Sequence, residues 1–160
     1  MFFWFISLSI LAVALVFDSP NLDYRLVAVG SFLPVLEIFF GGPWIGHTLI
    51  FPVLVMMLIM LIARGKRLIQ RKWLGIPIGL FAHLVLDGTW TKTKVFWWPF
   101  MGTGSLGGSN SMEVERWPIN LVLEMIGVAV TFWLWQKFRF SDKTNRVAFL
   151  RTGKLIELRK

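Results

Sequence analysis

The stretch RGKRLIQRKWLGIPIGLFAHLVLDGTW, residues 64–90, decides the fold. Five of its first nine residues are Lys or Arg, and the apolar run that follows contains only His83 and Asp87 as ionisable residues. Such a change from basic to apolar sequence is typical of the cytoplasmic end of a transmembrane helix, because positive residues stay on the cytoplasmic side. We therefore predict a membrane span over residues 73–90 that runs away from the cytoplasm.

The composition of the whole chain favours the same class of protein. Of its 160 residues, 56% are hydrophobic and only 16% are charged, and the mean hydropathy is +0.65. Soluble domains have about 25% charged residues. A span takes about 20 residues, so this length accommodates about five spans and no separate soluble catalytic domain. The absence of Cys excludes disulfides and thiolate ligands.

The apolar runs predict an all-α, polytopic transmembrane bundle of five spans. The predicted spans are residues 1–17, 26–40, 47–63, 73–90 and 117–136. The first run lacks the basic start and small residues of a cleaved secretory signal, so we expect it to be retained. In the alternative arrangement, residues 1–17 lie along the membrane interface and four spans remain.

Two basic clusters set the predicted orientation. Residues 64–72 and 137–160 hold 13 of the 17 Lys and Arg, and each cluster directly follows an apolar run. Both are assigned to the cytoplasm, which makes residues 1–140 a transmembrane domain and residues 141–160 a basic cytoplasmic tail. This topology accounts for the net charge of +8, so no nucleic-acid partner is expected. The non-cytoplasmic loop contains a Gly- and Ser-rich stretch, 101–111, which predicts a flexible lid or a linker.

Charged residues inside spans are costly and usually functional. The predicted spans contain no Lys or Arg, but they contain five other ionisable residues. These are Glu37, His47, His83, Asp87 and Glu124. Taken singly, each has an ordinary explanation: an interfacial His, a hydrogen-bonded His83–Asp87 pair, or protonated carboxyls that bond a neighbouring helix. A divalent cation is the alternative that explains several of them together.

The depth of four of these residues favours the cation. Glu37, His47, His83 and Asp87 lie within one or two helical turns of the non-cytoplasmic ends of three spans, and His83 and Asp87 share one helix face. These nitrogen and oxygen donors suit Zn²⁺ or Mn²⁺. A metal at this depth favours hydrolysis of a membrane lipid or its head group. Thr48 is then a candidate substrate contact, and Glu124 a candidate base or further ligand.

Four short segments carry a family resemblance. They are Phe32-Leu-Pro-Val-Leu-Glu37, Gly42-Pro-Trp-Ile-Gly-His-Thr48, His83-Leu-Val-Leu-Asp87 and Trp98-Pro99. They resemble the bacterial membrane-bound metal-dependent hydrolases of the YdjM-like group, described as LexA-regulated. That pattern runs Pro-Asp-x-Asp, His-Arg-Gly-x-Thr-His-Ser, His-x-x-x-Asp and Trp-Pro. Val35 and Gly42 replace its first Asp and first His, Glu37 replaces its second Asp, and Gly46 replaces its Thr.

The resemblance implies an integral protein of the bacterial inner membrane with a metal-dependent hydrolase activity. The loss of two expected ligands leaves a second hypothesis open, in which the chain is a non-catalytic subunit or assembly factor with a membrane-protein partner and a degenerate metal site. A third hypothesis is an ion-coupled transporter. We rank it last, because the ionisable residues crowd toward one membrane face while transport needs a route to both.

Overall fold

The computed structural model describes residues 1–17, 19, 21–40, 42–104, 106 and 117–155, without the side chains of residues 38 and 40. Over these residues the fold is all-α and contains no strand, which confirms the all-α part of the prediction. The α-helices are α1 (Phe3–Phe17), α2 (Tyr24–Phe32), α3 (Ile50–Ile62), α4 (Arg67–Trp73), α5 (Gly75–Asp87), α6 (Thr93–Phe96), α7 (Ile119–Lys137) and α8 (Lys143–Thr152). Short 3₁₀ helices cover Leu33–Phe40, Ile45–His47 and Thr89–Thr91.

By length and composition, α7 is the one described helix that could cross a membrane unaided, and α1 and α3 are shorter apolar helices. The predicted span 26–40 changes from α-helix to 3₁₀ helix after Phe32, beside Pro34. Proline cannot donate a backbone hydrogen bond and disfavours the α conformation of the residue before it. Most of the stretch 101–111 and residues 156–160 of the predicted tail lie outside the described residues.

Helices α2 and α5 form the most extensive helix–helix contact, and glycines bring their backbones together. A Cβ atom on Gly79 would lie 2.2 Å from the carbonyl oxygen of Val27, and one on Gly30 would lie 2.2 Å from that of Ile76. Gly75, Gly79 and His83 recur every four residues on α5, and each of them lies against α2. The row of small residues therefore sets how closely His83 approaches α2.

Helix α1 packs against α7 at a third close approach. A Cβ atom on Gly127 would lie 2.3 Å from the backbone nitrogen of Trp4. The Ser7 hydroxyl lies 3.0 Å from the carbonyl oxygen of Gly127 and 2.6 Å from that of Phe3. Small and hydroxyl side chains at such a contact let the two helix backbones approach closely.

The first part of the predicted tail forms helix α8, which packs against the bundle. Phe149 and Leu155 cover a core that contains Tyr24 and Val27. The backbone N–H of Tyr24 donates to the carbonyl oxygen of Gly153, at 2.8 Å. Gly153 ends α8 in the left-handed conformation, with φ +69°. The chain after residue 140 is therefore anchored to the start of α2.

We predict that Gly79→Ala lowers the thermal stability of the purified protein. The new methyl group overlaps the Val27 carbonyl, so α2 and α5 must separate, which costs about 1–3 kcal/mol. Gly104→Ala is the matched control, because its Cβ meets no atom within 4 Å. Thermal unfolding in detergent measures both variants. Equal melting temperatures for the two variants would contradict the close α2–α5 contact.

Candidate metal centre

His47, His83 and Asp87 form a group that could hold a metal ion. One donor atom of each residue lies within 4.8 Å of the donor atoms of the other two. His83 is 1% exposed and Asp87 3%, and the His47 side chain is 12% exposed. The predicted nearness of these three residues is therefore present in the folded chain.

His83 presents one ring nitrogen without a hydrogen-bond partner. Its Nδ1 lies 2.8 Å from the carbonyl oxygen of Ser31 on α2. A carbonyl only accepts, so Nδ1 carries the hydrogen and Nε2 keeps its lone pair. Nε2 is buried and has no hydrogen-bond partner. A buried polar atom left unpaired costs stability, and a metal ion would satisfy this nitrogen.

Two aromatic contacts fix the plane of the His83 ring. The Phe5 ring of α1 lies over it, with centroids 4.1 Å apart. The His47 ring meets it nearly edge-on, with centroids 5.3 Å apart and planes at 79°. The two imidazoles are thus neighbours from different elements, as ligands of one ion would be.

The Glu37 carboxylate contacts His47 at Nδ1, so it leaves the other ring nitrogen, Nε2, available. Its Oε2 lies 2.8 Å from His47 Nδ1 and accepts the N–H of Trp44, also at 2.8 Å. Its Oε1 accepts the N–H of Gly46 at 2.7 Å. A Cβ atom on Gly46 would lie 2.9 Å from Oε1, so the small residue at this position gives the carboxylate room. A carboxylate on the outer nitrogen of a ligating His is a recurrent feature of metal sites.

Glu37 was predicted as a direct ligand, and it lies outside the group of three donors described above. Both of its oxygens accept hydrogen bonds from the loop that carries His47. The structure therefore brings Glu37 to the centre as a partner of His47. Depth along a span located Glu37 correctly near the site, but depth contains no information about which atom it contacts.

The end of α5 positions Asp87. Gly88 takes the left-handed conformation, with φ +71°, and ends the helix. The chain reverses there, and the Thr89 hydroxyl donates to Asp87 Oδ2 at 2.5 Å. Sequence analysis missed both Thr89 and Ser31 as partners of the ligands. A Gly directly after Asp87 is the usual signal of a helix end and could have indicated Thr89.

Thr48 was predicted to contact substrate. In the structure it is fully buried, and its hydroxyl donates to the carbonyl oxygen of Ile45 at 2.7 Å. This bond closes the 3₁₀ turn that contains His47. The contact seen for Thr48 is thus with its own turn.

Glu124 was predicted as a base or a further ligand, and the structure gives it other partners. Its Oε1 accepts the backbone N–H groups of Phe2 and Phe3, each at 3.0 Å, and its Oε2 accepts that of Trp4 at 3.3 Å. The first amides of a helix have no partner within the helix, and its dipole favours a negative charge there. Glu124 of α7 therefore caps α1, and it is not among the three donors of the metal group.

The donor set determines which ions suit the centre. Two imidazoles and one carboxylate bind Zn²⁺ in hydrolases and Fe²⁺ in oxygenases, with positions left open for water. Mn²⁺ accepts the same donors. Without sulfur ligands the site does not select Cu⁺. Each of the three donors also has an outer partner, in Glu37, Ser31 and Thr89, so the group has both shells of a metal site.

An apolar cleft of about 210 Å³ begins two residues after His47. Its walls are the start of α3 and the segment around α6, which are joined by a hydrogen bond from Leu49 N–H to the Phe96 carbonyl oxygen at 3.0 Å. The lining residues are Leu49, Ile50, Val53, Phe96, Trp97, Trp98 and Phe100. The cleft offers space to an apolar group near the centre.

Comparison with protein-family models, with curated proteins and with solved structures finds no match to this chain. The resemblance to the membrane-bound hydrolases therefore depends on the four segments quoted above, and the functional argument depends on the geometry of the centre.

We predict that three chemically identical substitutions separate the roles of the three carboxylates. Asp87→Asn removes a ligand, so stoichiometric metal should be lost. Glu37→Gln removes the charge behind His47 and should weaken metal binding about 10- to 100-fold. Glu124→Gln is the control, because its carboxylate contacts the amides of α1, and metal affinity should not change.

Elemental analysis and a competition titration, after purification without chelators, measure these affinities. The wild type should contain about one equivalent of Zn²⁺ or Mn²⁺ per chain. A metal-free wild type would contradict the site. Equal losses in Glu124→Gln and Asp87→Asn would contradict the assignment of Glu124 to the cap of α1.

Proposed function

We propose that this chain is a polytopic membrane protein and a metal-dependent hydrolase of a lipid or its head group, with a phosphoester-bearing lipid as the substrate class. The observation that supports it best is the unpaired, buried Nε2 of His83, within one cluster with His47 and Asp87. A divalent cation held there supplies Lewis-acid chemistry and a water nucleophile at neutral pH. The membrane placement and the metal site are argued separately below.

The distribution of polar and apolar side chains supports a lipid environment. Only 11% of the apolar window of α7 is buried within the protein, and Met125 on this helix is 68% exposed. Leu61 and Ile62 of α3 are likewise exposed, at 61% and 76%. The buried residues include Ser7, Ser9, Ser31 and Thr48. Soluble proteins rarely expose large apolar patches, whereas lipid favours such a surface.

The lengths of the apolar segments are compatible with crossing. Helix α7 is about 28 Å long, close to the roughly 30 Å hydrocarbon core. Helix α2 with its 3₁₀ continuation to Phe40 also extends for about 30 Å, because a 3₁₀ helix rises about 2 Å per residue. Residues 45–62 reach a similar length. These three lengths are compatible with crossing. Helix α5, at 13 residues, is shorter than the hydrocarbon core, and α1, at 15 residues, suits either a short span or an interfacial helix.

We predict that α4 faces the cytoplasm and that the segment around α6 faces outward. The chain has no Cys, so single cysteines report their own position. A cysteine at Lys94 should react with a membrane-impermeant maleimide in intact cells, and one at Gln70 should react only after lysis. Neither residue is part of the metal group. Labelling at Gln70 in intact cells would reverse the orientation.

The surroundings of the centre support a substrate with an apolar part. The cleft around Leu49 and Trp97 begins two residues after His47 in the chain and has apolar side chains on its walls. A lipid would place its chain there and its head group toward His47 and Asp87. Glu37, Ser31 and Thr89 hold the ligands in place, and orientation of this kind reduces the cost of reaching a reactive geometry.

We predict that the reconstituted protein releases phosphate from vesicles that contain phosphatidic acid. Addition of Zn²⁺ or Mn²⁺ should support turnover, and Asp87→Asn should reduce it at least about 100-fold, since the metal site loses a ligand. Glu124→Gln should retain activity. Phosphate release and ester cleavage are followed in parallel, so that a lipase activity is also detected.

The burial of the centre favours a second candidate. His83 and Asp87 are almost fully buried, and a metal held by α5 and the turn at His47 would also cross-link the bundle without any turnover. A chain of this kind would be a non-catalytic subunit or assembly factor. It would bind metal but release no product, Asp87→Asn would lower the yield of folded protein, and a stoichiometric membrane protein would co-purify.

A further inference from the structure

Two basic segments that are far apart in the sequence lie at one end of the molecule. Gly153, at the end of α8, packs against the carboxylate of Asp23, which caps α2. Gly75, two residues after the end of α4, also lies against Asp23, because a Cβ atom on it would be 2.8 Å from the Asp23 carbonyl oxygen. Both basic segments therefore lie near the start of α2. We call the exposed cations of α4 and α8 the basic end; they are Arg67, Arg71, Lys72, Lys143, Arg146 and Arg151.

Asp23, the acidic residue that lies between the two basic segments, is already paired. Asp23 accepts hydrogen bonds from Arg25 Nε at 2.9 Å and from Arg25 Nη2 at 2.6 Å. Burial alone would raise the pKa of Asp23, but the hydrogen bonds and charge of Arg25 outweigh it and hold the pKa below its ordinary value. Asp23 therefore stays ionised, and its charge is directed toward Arg25.

The sequence around the basic end contains little acid to offset its charge. Residues 64–72 contain five basic residues and no acidic one, and residues 137–160 contain eight basic and two acidic residues. The cations of α4 and α8 are exposed. The end thus has a strong positive field, and its partner must be anionic.

Exposed apolar residues among these cations distinguish between anionic partners. On α8, Lys143, Val147 and Leu150 follow one another at spacings of four and three, so they form one stripe. Leu150 is 68% exposed, and Leu68 of α4 is 78% exposed. Helices with this pattern lie in the membrane interface, with their apolar residues below the head groups and lysine stems reaching up to them. Exposed leucines would not contribute to binding the charged backbone of a nucleic acid.

We propose that the basic end binds the phosphate head groups of anionic phospholipids in the cytoplasmic leaflet. Leu68, Val147 and Leu150 enter the interface between them. The inference rests on the membrane placement proposed above, and it does not depend on the metal centre. The basic end is separated from the metal centre along α5. Gly75 of α5 packs against the Asp23 backbone, and His83 lies eight residues further along, about 12 Å up the helix axis.

The binding surface is formed before lipid arrives. Besides the bond between Tyr24 N–H and the Gly153 carbonyl, Arg25 Nη1 donates to the carbonyl oxygen of Leu150. The rings of Phe140 and Phe149 meet with centroids 5.2 Å apart, which fixes α8 to the chain that leaves α7. A surface held in this way does not pay for ordering when it binds.

The test measures lipid selectivity in phosphatidylcholine vesicles that contain the full chain. Spin-labelled phosphatidylglycerol and spin-labelled phosphatidylcholine are compared by the fraction of label that the protein immobilises. One Lys or Arg near an anionic leaflet strengthens lipid binding by up to about fivefold. We therefore expect the protein to prefer phosphatidylglycerol over phosphatidylcholine by at least about threefold. The preference should vanish in about 1 M salt, where the screening length is about 3 Å.

A matched pair of variants locates the preference. Lys72→Gln with Lys143→Gln removes two lysines from the basic end and should lower the preference severalfold. Lys92→Gln with Lys94→Gln removes two lysines from the segment that contains α6 and should leave it unchanged. Equal effects of the two pairs, or no preference in the wild type, would overturn the proposal. Salt-sensitive binding of duplex DNA in detergent would also overturn the proposal, if the first pair of variants loses that binding and the second pair keeps it.

Vesicle flotation after an alkaline wash separates failure of this proposal from failure of the membrane placement. A chain that floats but shows no lipid preference is a membrane protein without this binding surface. A chain that the wash removes is not integral, which overturns the membrane placement and the lipid-binding proposal together. Metal content is measured on the same samples, so the centre is assessed independently.

Discussion

The contact between the backbones of α2 and α5 is the constraint on which the rest of the structure depends. Gly30 and Gly79 leave no room for side chains between the two helices. This closeness lets the Ser31 carbonyl reach Nδ1 of His83, whose Nε2 has no hydrogen-bond partner. A wider separation would leave Nδ1 unpaired and the ring free to rotate. The glycines are therefore part of the centre, although none of them provides a donor atom.

Two carboxylates on apolar helical segments are each satisfied by a different set of backbone groups. Glu37 and Glu124 are both carboxylates on apolar helical segments, yet one satisfies a loop that carries a ligand and the other satisfies the start of a helix. In each case backbone N–H groups supply much of the compensation for burying a carboxylate. The protein thus holds these two carboxylates without any Lys or Arg nearby in the sequence, and the buried Nε2 of His83 is among the polar atoms that have no hydrogen-bond partner.

The sequence predicts the all-α class and the nearness of His47, His83 and Asp87, because apolar runs give depth and the spacing of four gives a common face. It does not predict that Glu37 lies outside this group of donors. The position of a residue along a segment gives no information about the direction in which its side chain points around the helix axis. The change to a 3₁₀ helix at Pro34 brings Glu37 round to Trp44 and Gly46, and no periodic pattern reveals that rotation. The packing of the tail depends on Gly153 meeting Tyr24, a contact between distant parts of the chain.

The cap of α1 by Glu124 has a consequence for the order of assembly during synthesis. The ligands and their outer partners all lie between Ser31 and Thr89, so they leave the ribosome before α7 does. Helix α1 is synthesised first, but its first amides can bond Glu124, and its backbone can contact Gly127, only after α7 has been made. Phe5, which covers the His83 ring, belongs to α1. The residues of the candidate centre are therefore all synthesised before α7, which supplies the last contacts of the helix that covers His83.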